Sequence, residues 1–404
     1  MRASTNCWAH CAARDFWQTE KYARPPMEAG RSHRSERGVR MYRIYVYAIC
    51  KNEEAFAARW AESMAEADGI YVLDTGSTDR TVEILEQNGV HVTMARVEPW
   101  RFDAARNRSL RLVPEDADLC VCTDLDEVFH PGWRTAMERA LDGGAKRLRY
   151  RYTWSFLPDG REGCVFWTEK AHARFGFRWV HPVHEVLEYE GGCCGSTEAA
   201  GVQLDHHPDL QKSRGQYLPL LELAVREHPE DDRNMHYLGR EYMFCGRWQE
   251  CEQTLLRHLA LPSAVWREER CASMRFLSRA AEALGKPQEA EQWLLRACGE
   301  APWLREPWLE ASMLAAGRGA WSGSLFFAEN ALRITERGQS YINEPESWGA
   351  RPYDLAALAA YRLGLFALAL EYGRQALEQE PDDARLRENL RFYACAASES
   401  CNGG

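Results

Sequence analysis

Three acidic residues follow directly after a short apolar segment in the first half of the chain. The run Leu119–Cys122 is apolar, and Asp124, Asp126 and Glu127 come just after it. Crowded carboxylates repel one another and are costly to remove from water, so a counter-charge is required where a buried strand ends in them. Residues two apart on an extended backbone face the same side, and two such carboxylates can share Mg²⁺ or Mn²⁺. A solvated turn after the strand is the alternative.

Alternating strands and helices are predicted from Met41 to about residue 210. Segments such as YRIYVYAI, GIYVLD and DLCVC are typical of buried strands, and EAFAARWAESMAEA and FDAARNRSLRLV have helical spacing. The alternation predicts βαβ units with a parallel sheet covered on both faces, a Rossmann-like α/β fold. Because ligands of such sheets bind beyond the carboxyl ends of the strands, the acids lie where a binding site is expected.

The second half of the chain, from about residue 213 to 395, has helical patterning throughout. Small residues recur with a period of about 34 residues, and Pro302 and Pro381 close two of the copies. The pattern resembles about four tetratricopeptide repeats, whose concave surface can hold an extended polypeptide. Residues 337–352 are an insertion before the fourth copy, and their Tyr341 and Trp348 either line the groove or pack on the fourth repeat.

Four motifs of the first half follow one another in the order and spacing of a known family. The residues that carry them are Asn52 after the first strand, Asp74, Gly76 and Ser77 in a turn, Arg106 and Asn107 on a helix, and Asp124 and Asp126. The set resembles the GT-A glycosyltransferases of family 2 over about residues 41–190. With repeats behind it, the chain is similar to members that glycosylate bacteriocin peptides at Cys or Ser. The catalytic half also resembles enzymes that add sugars to lipopolysaccharide core.

The resemblance implies a nucleotide-sugar donor, with UDP as the expected nucleotide. The donor-binding residues expected on this basis are Asn52, Asp74, Ser77, Arg106 and Asp124. Asp126 is the better candidate for direct ligation of Mg²⁺ or Mn²⁺, and Asp124 supports the ribose or sugar with or without a metal contact. Helix capping is the structural alternative for Ser77, and an ordinary surface charge is the alternative for Arg106.

The acceptor side of the site is expected in the later segment FRWVHPVHEVLEYE. His184 and Glu185 match an element that ends this region in similar sequences. An inverting single displacement needs one general base to take the proton of the acceptor hydroxyl or thiol. Glu185 is a candidate for that base. His184 is the base itself, a third contact to the metal or diphosphate, or a residue that only orders the loop. His206 and His207 are interpreted as residues of the domain junction.

Composition limits the classes of partner. The net charge of −10 argues against a nucleic-acid polymer. No apolar run is long enough to predict a membrane span. Residues 1–40 lack helical or strand periodicity and are expected to be a disordered tail or a mis-called start, with a basic targeting arm as the alternative. The expected domains are 41–212 for the α/β half and 213–395 for the repeats, with a disordered end at 396–404. Without a secretory signal, the fourteen cysteines are expected as reduced thiols in a cytoplasm.

Two functions follow from these patterns. The first is an inverting, metal-dependent glycosyltransferase whose repeats present a peptide, protein or glycan acceptor and form a homodimer. The alternative is a repeat scaffold with an inactive GT-A domain. A nucleotidyltransferase also uses paired carboxylates, but the segment ICKNEE after the first strand is not the glycine-rich basic loop of that class.

Overall fold

The computed structural model describes residues 41–209 and 215–402, and the chain divides into two compact units. The first unit ends at Ala224 and the second begins at Val225. This division lies twelve residues beyond the boundary expected at 212, inside a helix that runs from Tyr217 to Glu227. The tail expected at residues 1–40 lies outside the described residues.

The first unit is an α/β domain built on one large sheet. Its strands are β1 (Ile44–Cys50), β2 (Gly69–Asp74), β3 (His91–Met94), β4 (Leu119–Cys122), β5 (Glu127–Phe129), β6 (Arg147–Thr153), β7 (Val165–His172), β8 (Phe177–Val180), β9 (Val186–Tyr189) and β10 (Thr197–His206). Its helices are α1 (Glu54–Ser63), α2 (Thr81–Gln87), α3 (Phe102–Leu110), α4 (Trp133–Leu141) and α5 (Tyr217–Glu227).

The eight-stranded sheet has the order β3-β2-β1-β4-β7-β6-β10-β5, and β8 and β9 form a separate hairpin. Strands β3, β2, β1 and β4 are parallel, as expected from the alternation of strands and helices. The rest of the sheet is mixed, because β7 runs antiparallel to both β4 and β6 and β5 runs antiparallel to β10. A turn joins β6 directly to β7 without a crossover helix, so these strands cannot be parallel.

Helices α1 and α3 are fixed to the sheet by buried hydrogen bonds. The Trp60 indole N–H on α1 donates to Thr123 Oγ1 at 3.0 Å, and the Ser109 hydroxyl on α3 donates to the Ala48 carbonyl at 2.6 Å. Both contacts lie near the carboxyl ends of β1 and β4. They hold the helices in place beside the strand ends that carry the acidic residues.

A buried polar chain crosses the core between β1, β7 and β8. The Trp179 indole N–H donates to the Tyr47 hydroxyl, which lies 2.8 Å from His172 Nε2. His172 Nδ1 lies 2.8 Å from the carbonyl oxygen of Ala173, so the neutral ring donates there and accepts from Tyr47. Burial lowers the pKa of His172 to about 4, with a smaller opposing influence from the Ala173 carbonyl.

We expect this histidine to make the first unit acid-labile. In the unfolded chain the His172 imidazole is protonated below its ordinary pKa of 6.5, whereas in the folded chain it is protonated only below about pH 4. Stability therefore falls as the pH drops through this window, by about 3 kcal/mol. Urea unfolding at several pH values, followed by near-ultraviolet circular dichroism, measures the fall. His172→Gln should flatten it, whereas His91→Gln at an exposed strand position should leave it unchanged, and equal curves for the two variants would contradict the assignment.

The second unit is entirely helical in its described residues. Its helices after α5 are α6 (Asp232–Phe244), α7 (Trp248–Ala260), α8 (Arg267–Ala283), α9 (Pro287–Glu300), α10 (Arg305–Gly317), α11 (Trp321–Arg333), α12 (Arg351–Arg362), α13 (Phe366–Gln379) and α14 (Ala384–Asn402). The last helix includes residues 396–402, which the sequence led us to expect as disordered. No helix of the described chain is long and apolar enough to cross a membrane, and the described cysteines are free thiols.

The helices from α6 to α13 form four hairpins, which correspond to the expected repeats. The two helices of each pair are joined at a glycine with a positive φ, and these glycines are Gly246, Gly285, Gly319 and Gly364. A left-handed backbone at this point ends the first helix, and glycine adopts it without strain. Small residues lie where paired helices touch: a Cβ at Gly239 would collide with Leu255 of the facing helix.

The insertion before the fourth pair packs on the second and third pairs. The Tyr341 hydroxyl donates to Glu269 Oε2 on α8 at 3.0 Å, and Arg275 on the same helix donates to Glu344 Oε1 at 2.6 Å. Trp348, in a 3₁₀ turn, lies against a guanidinium of α10 with 4.1 Å to the ring centroid. The insertion therefore contacts α8 and α10, and its 3₁₀ turn also contacts α12 of the fourth pair. The two alternatives for Tyr341 and Trp348, lining the groove and packing on the fourth repeat, both stay predictions.

Candidate functional site

The ends of β1 and β2 are tied together by the residues predicted to bind the nucleotide. Asp74 is fully buried, and its Oδ1 accepts from the backbone N–H groups of Gly76 and Ser77 at 2.9 and 3.0 Å. The Ser77 hydroxyl donates to Asp74 and accepts from the Asn52 N–H. Asn52 is exposed and its Oδ1 accepts from Thr78 N at 2.8 Å. Asn52, Asp74 and Ser77 thus form one hydrogen-bonded cluster that connects the ends of β1 and β2. Their contact with a nucleotide stays a prediction.

Ser77 is not the cap of the following helix. Helix α2 begins at Thr81, and the Asp79 carboxylate accepts from the Thr81 N–H at 3.0 Å. The capping alternative for Ser77 is therefore wrong. Asp79 also accepts from the Glu54 N–H at the start of α1, so one carboxylate satisfies the first turns of two helices.

Arg106 is the central cation of the site and is not a surface charge. Its side chain is buried on α3, and Nη2 donates to Asp124 Oδ1 at 2.8 Å while Nε donates to Glu185. The guanidinium lies 5.3 Å from the centroid of the Trp179 ring. Burial acts to lower the pKa of Arg106, but Asp124 and Glu185 outweigh burial and raise it well above its usual value. The arginine therefore stays charged and bridges the two carboxylates.

Lys170 is a second counter-charge, and sequence reasoning missed it. Its ammonium donates to Asp124 Oδ2 at 3.2 Å and to Glu127 Oε1 at 2.6 Å. Burial acts to raise the pKa of Asp124, but Arg106 and Lys170 outweigh it and hold that pKa below its usual range. The counter-charge required by the acidic cluster is thus supplied in large part by the protein itself. A single lysine in the strand segment VFWTEKAH was the available signal.

Asp126 is paired instead with His206. Strand β10 runs antiparallel to β5 with His206 opposite Glu127, which brings His206 Nε2 to 3.3 Å from Asp126 Oδ2. His206 Nδ1 lies 2.9 Å from the Trp154 carbonyl oxygen, and the two rings stack at 4.0 Å. Burial acts to lower the pKa of His206, and Asp126 outweighs burial and raises it. The interpretation of His206 as a junction residue is therefore wrong: it belongs to this site.

The Asp126–His206 pair offers a carboxylate oxygen and an imidazole nitrogen that could hold a divalent cation, and ligation by the expected pair of Asp124 and Asp126 stays a prediction. With Nδ1–H donating to a backbone carbonyl, the imidazole in its neutral form turns its Nε2 lone pair toward the Asp126 carboxylate. Metal-ligating histidines are held in this way by a carbonyl or carboxylate on the other ring nitrogen. A nitrogen ligand beside a carboxylate suits Mn²⁺ better than Mg²⁺, which prefers oxygen. Asp124 already accepts from two cationic side chains.

His184 and Glu185 lie in the turn between β8 and β9. Glu185 is buried, and its Oε1 accepts from Arg106. His184 has a φ of 50°, a conformation unusual for a non-glycine residue, and its ring stacks on Tyr217 at 5.9 Å. The Asn107 side chain holds the same hairpin, because it donates to the Trp179 carbonyl at 2.7 Å and accepts from the Trp179 N–H at 2.9 Å.

Most of the predicted residues fall into two groups that are each joined by direct contacts, whereas Asp126 pairs with His206 and His184 stacks on Tyr217. Arg106 joins Asp124 to Glu185, and Lys170 joins Asp124 to Glu127. Asp74 and Ser77 form a separate cluster with Asn52 at the ends of β1 and β2. Both clusters lie at the carboxyl ends of the parallel strands, where charged ligands of such sheets bind.

Comparison with known proteins found a matching family model and similar solved structures. Residues 45–161 match the family model described as glycosyl transferase family 2. Similar solved structures include MamA, with 18% identity and a TM-score of 0.34 over 42% of this chain and 89% of that chain. They also include a thermophilic TPR protein of Thermus thermophilus, with 22% identity and a TM-score of 0.32 over 45% of this chain and 88% of that chain. No curated protein matches the chain.

Proposed function

Since the chain carries a family 2 glycosyltransferase domain ahead of tetratricopeptide-like repeats, we propose that it transfers a sugar from a nucleotide-sugar donor. The donor nucleotide is UDP, and the transfer inverts the configuration at the sugar carbon. The acceptor is a peptide, protein or glycan. The observation that carries the proposal is the pairing of Asp126 with His206 beside the cluster centred on Arg106. The pair offers a carboxylate oxygen and an imidazole nitrogen at the strand ends. The cluster adds two cations at the same edge of the sheet, the buried Arg106 and the partly buried Lys170.

Asp126 and His206 would hold the divalent ion, with Mn²⁺ expected ahead of Mg²⁺. When bound, such an ion neutralises the charge that develops on a diphosphate leaving group. The chain's own residues perform the remaining tasks. Trp154 fixes the His206 ring by stacking and through its carbonyl. Arg106 and Lys170 hold Asp124 ionised, so that its carboxylate can accept hydrogen bonds from donor hydroxyl groups.

Glu185 is the proposed general base. Single displacement requires the acceptor hydroxyl or thiol to lose a proton as the sugar carbon is attacked. The Arg106 guanidinium orients the Glu185 carboxylate and is itself fixed by Asp124 and the Trp179 ring. His184, the next residue toward the N-terminus, is the second candidate. Its unusual backbone conformation is consistent with a turn that is constrained for a function.

The repeats are proposed to present the acceptor, which is a polypeptide on this reading. Stacked helical pairs offer side-chain pockets along a surface and no loop suited to a phosphate. Because the insertion lies over α8 and α10, a peptide bound to this surface would contact Tyr341 and Glu344 of the insertion before it contacts the two helices. A homodimer through the same repeats stays a prediction from the sequence.

One observation favours the alternative of an inactive GT-A domain in a scaffold. Arg106 engages both Asp124 and Glu185, two of the carboxylates assigned to donor binding and proton transfer. In an active enzyme these ion pairs position the two carboxylates for the substrates. In an inactive domain Arg106 occupies the carboxylates in place of the substrates. Binding of a nucleotide sugar separates the two functions.

A nucleotide-sugar screen tests the proposal directly. We expect UDP-linked sugars with Mn²⁺ to raise the melting temperature of the full chain by several degrees at 100 times the dissociation constant, since binding then adds about 2.7 kcal/mol of stability. Slow release of UDP should accompany binding. GDP- and CMP-linked sugars are the matched controls. A chain that neither binds nor hydrolyses any nucleotide sugar, with or without Mn²⁺, is the scaffold.

A further inference from the structure

The helical unit contains a second group of metal-type ligands, remote in sequence from the strand-end acids. Asp232 opens α6, His258 lies near the end of α7, and Glu269 lies in the first turn of α8. One ligand atom from each lies within 4.8 Å of the other two. The three residues are between 0 and 1% exposed, so three separate helices converge on one buried point.

The orientation of the His258 ring is the observation that points to a ligand. Its Nε2 is buried and makes no hydrogen bond to any described residue, although Glu269 Oε1 lies only 3.3 Å away. At that distance a well-aimed N–H would form a hydrogen bond, so the nitrogen is not directed at the oxygen itself. It is directed into the space that it shares with the carboxylates.

A hydrogen-bonded chain behind the ring is consistent with a lone pair on that nitrogen. His258 Nδ1 lies 2.9 Å from Ser273 Oγ, which in turn lies 2.7 Å from His236 Nδ1. His236 is buried, and its Nδ1 is placed to accept the serine proton. Ser273 then accepts from the Nδ1–H of His258. In this arrangement His258 Nε2 carries a lone pair close to two buried carboxylates, and a cation held among the three groups would neutralise them.

The Glu269 carboxylate is also held in place by a hydrogen bond on the side away from His258. Its other carboxylate oxygen, Oε2, accepts from the Tyr341 hydroxyl at 3.0 Å. Hydrogen-bond partners behind both the histidine and the carboxylate are the usual surroundings of metal ligands, because they fix the tautomer and the orientation. Arg233 and Arg240 act electrostatically on Tyr341, so positive charge is also present nearby.

We propose that Asp232, His258 and Glu269 bind a Zn²⁺ ion that ties α6, α7 and α8 together. One imidazole nitrogen and two carboxylate oxygens in a closed, buried site are a zinc ligand set, with the fourth position left to water. The ion joins the first helical pair to the second, and through Glu269 and Tyr341 it also supports the insertion. This site is independent of the proposed glycosyl transfer.

Zinc binding by the full chain in an Asp126→Asn background tests the proposal, because that substitution weakens the strand-end pair. After removal of metal with a chelator and addition of Zn²⁺, we expect one tightly held zinc per chain by elemental analysis. At 100 times the dissociation constant, zinc should raise the melting temperature of the helical unit by about 5–10 °C. Co²⁺ in place of Zn²⁺ should give visible absorption bands of a four- or five-coordinate ion.

His258→Gln should abolish the bound zinc and the shift, while His228→Gln, at a half-exposed histidine of the same unit, should keep both. If His258→Gln fails to fold, Ser273→Ala replaces it in the test. This variant keeps all three ligands and should bind zinc about 10–100-fold more weakly than the unmodified chain. The proposal is overturned if no zinc is retained in the Asp126→Asn background, or if His258→Gln or Ser273→Ala binds zinc as tightly as the His228→Gln control. In those cases a proton, and not a metal, joins His258 to Glu269.

Discussion

Asp126→Asn is expected to remove metal-dependent UDP binding and to reduce sugar transfer at least about 100-fold, with the fold retained. The carboxamide is nearly the same size as the carboxylate but is neutral and a poor metal ligand. Asp126 is partly exposed, and His206 is its ion-pair partner at 3.3 Å. Loss of the carboxylate therefore costs little packing, whereas an ion held by the pair loses a charged ligand.

Calorimetric titration of UDP with and without Mn²⁺ measures the effect. Asp205→Asn is the matched control, because Asp205 precedes His206 on β10 and its carboxylate accepts from Gln203 at 2.7 Å and pairs with His130 at 2.8 Å. This control should bind UDP as the unmodified chain does. If UDP affinity depends on Mn²⁺ as strongly in Asp126→Asn as in Asp205→Asn, the assignment of Asp126 to the metal is incorrect.

Arg106→Met is expected to destabilise the first unit by about 3–5 kcal/mol and to abolish transfer. The guanidinium is buried and contacts both Asp124 and Glu185. A methionine fills much of its volume but leaves two carboxylates without their principal cation. Removing one partner of a buried ion pair is costly because the remaining charge is not returned to water. Arg106→Lys should be intermediate, since a single ammonium cannot reproduce the planar bridge between two acids.

Urea-dependent hydrogen exchange of peptides from β1 and β4 reports the stability of this unit separately from the helices. Arg108→Met, two residues along α3 at an exposed position, should change it by no more than about 0.5 kcal/mol. Equal exchange in the two methionine variants would show that Asp124 and Glu185 do not depend on Arg106. If Arg106→Met keeps both its transfer activity and its full stability, Arg106 has no role in the site.

Local patterns carried much of the architecture. The alternation of strands and helices predicted the parallel strands β1–β4, because a buried strand and an amphipathic helix each show their period within ten residues. The recurrence of small residues and of closing prolines predicted the helical pairs, because each copy of the repeat is one helix–turn–helix unit. The Asp124–Asp126 motif was visible at once, since its signal lies in spacing along one strand end.

Other features depend on which strands become neighbours, and no local period encodes that choice. His206 joins Asp126 only because β10 pairs with β5, far away along the chain. The mixed half of the sheet and the position of the insertion over α8 and α10 are of the same kind. A single histidine or tyrosine in the sequence is compatible with many surroundings, and its partner is decided by topology.

The acidic cluster shows where the division between sequence and structure lies. The sequence by itself determined that Asp124, Asp126 and Glu127 follow a buried strand and so require compensating charge. Only the tertiary structure decided what supplies it: Arg106 from α3 and Lys170 from β7 neutralise Asp124 and Glu127, and Asp126 is left to His206. The requirement follows from the cost of burying like charges, which depends on local spacing. Its solution depends on side chains brought from distant segments, because electrostatic interactions act through space and not along the chain.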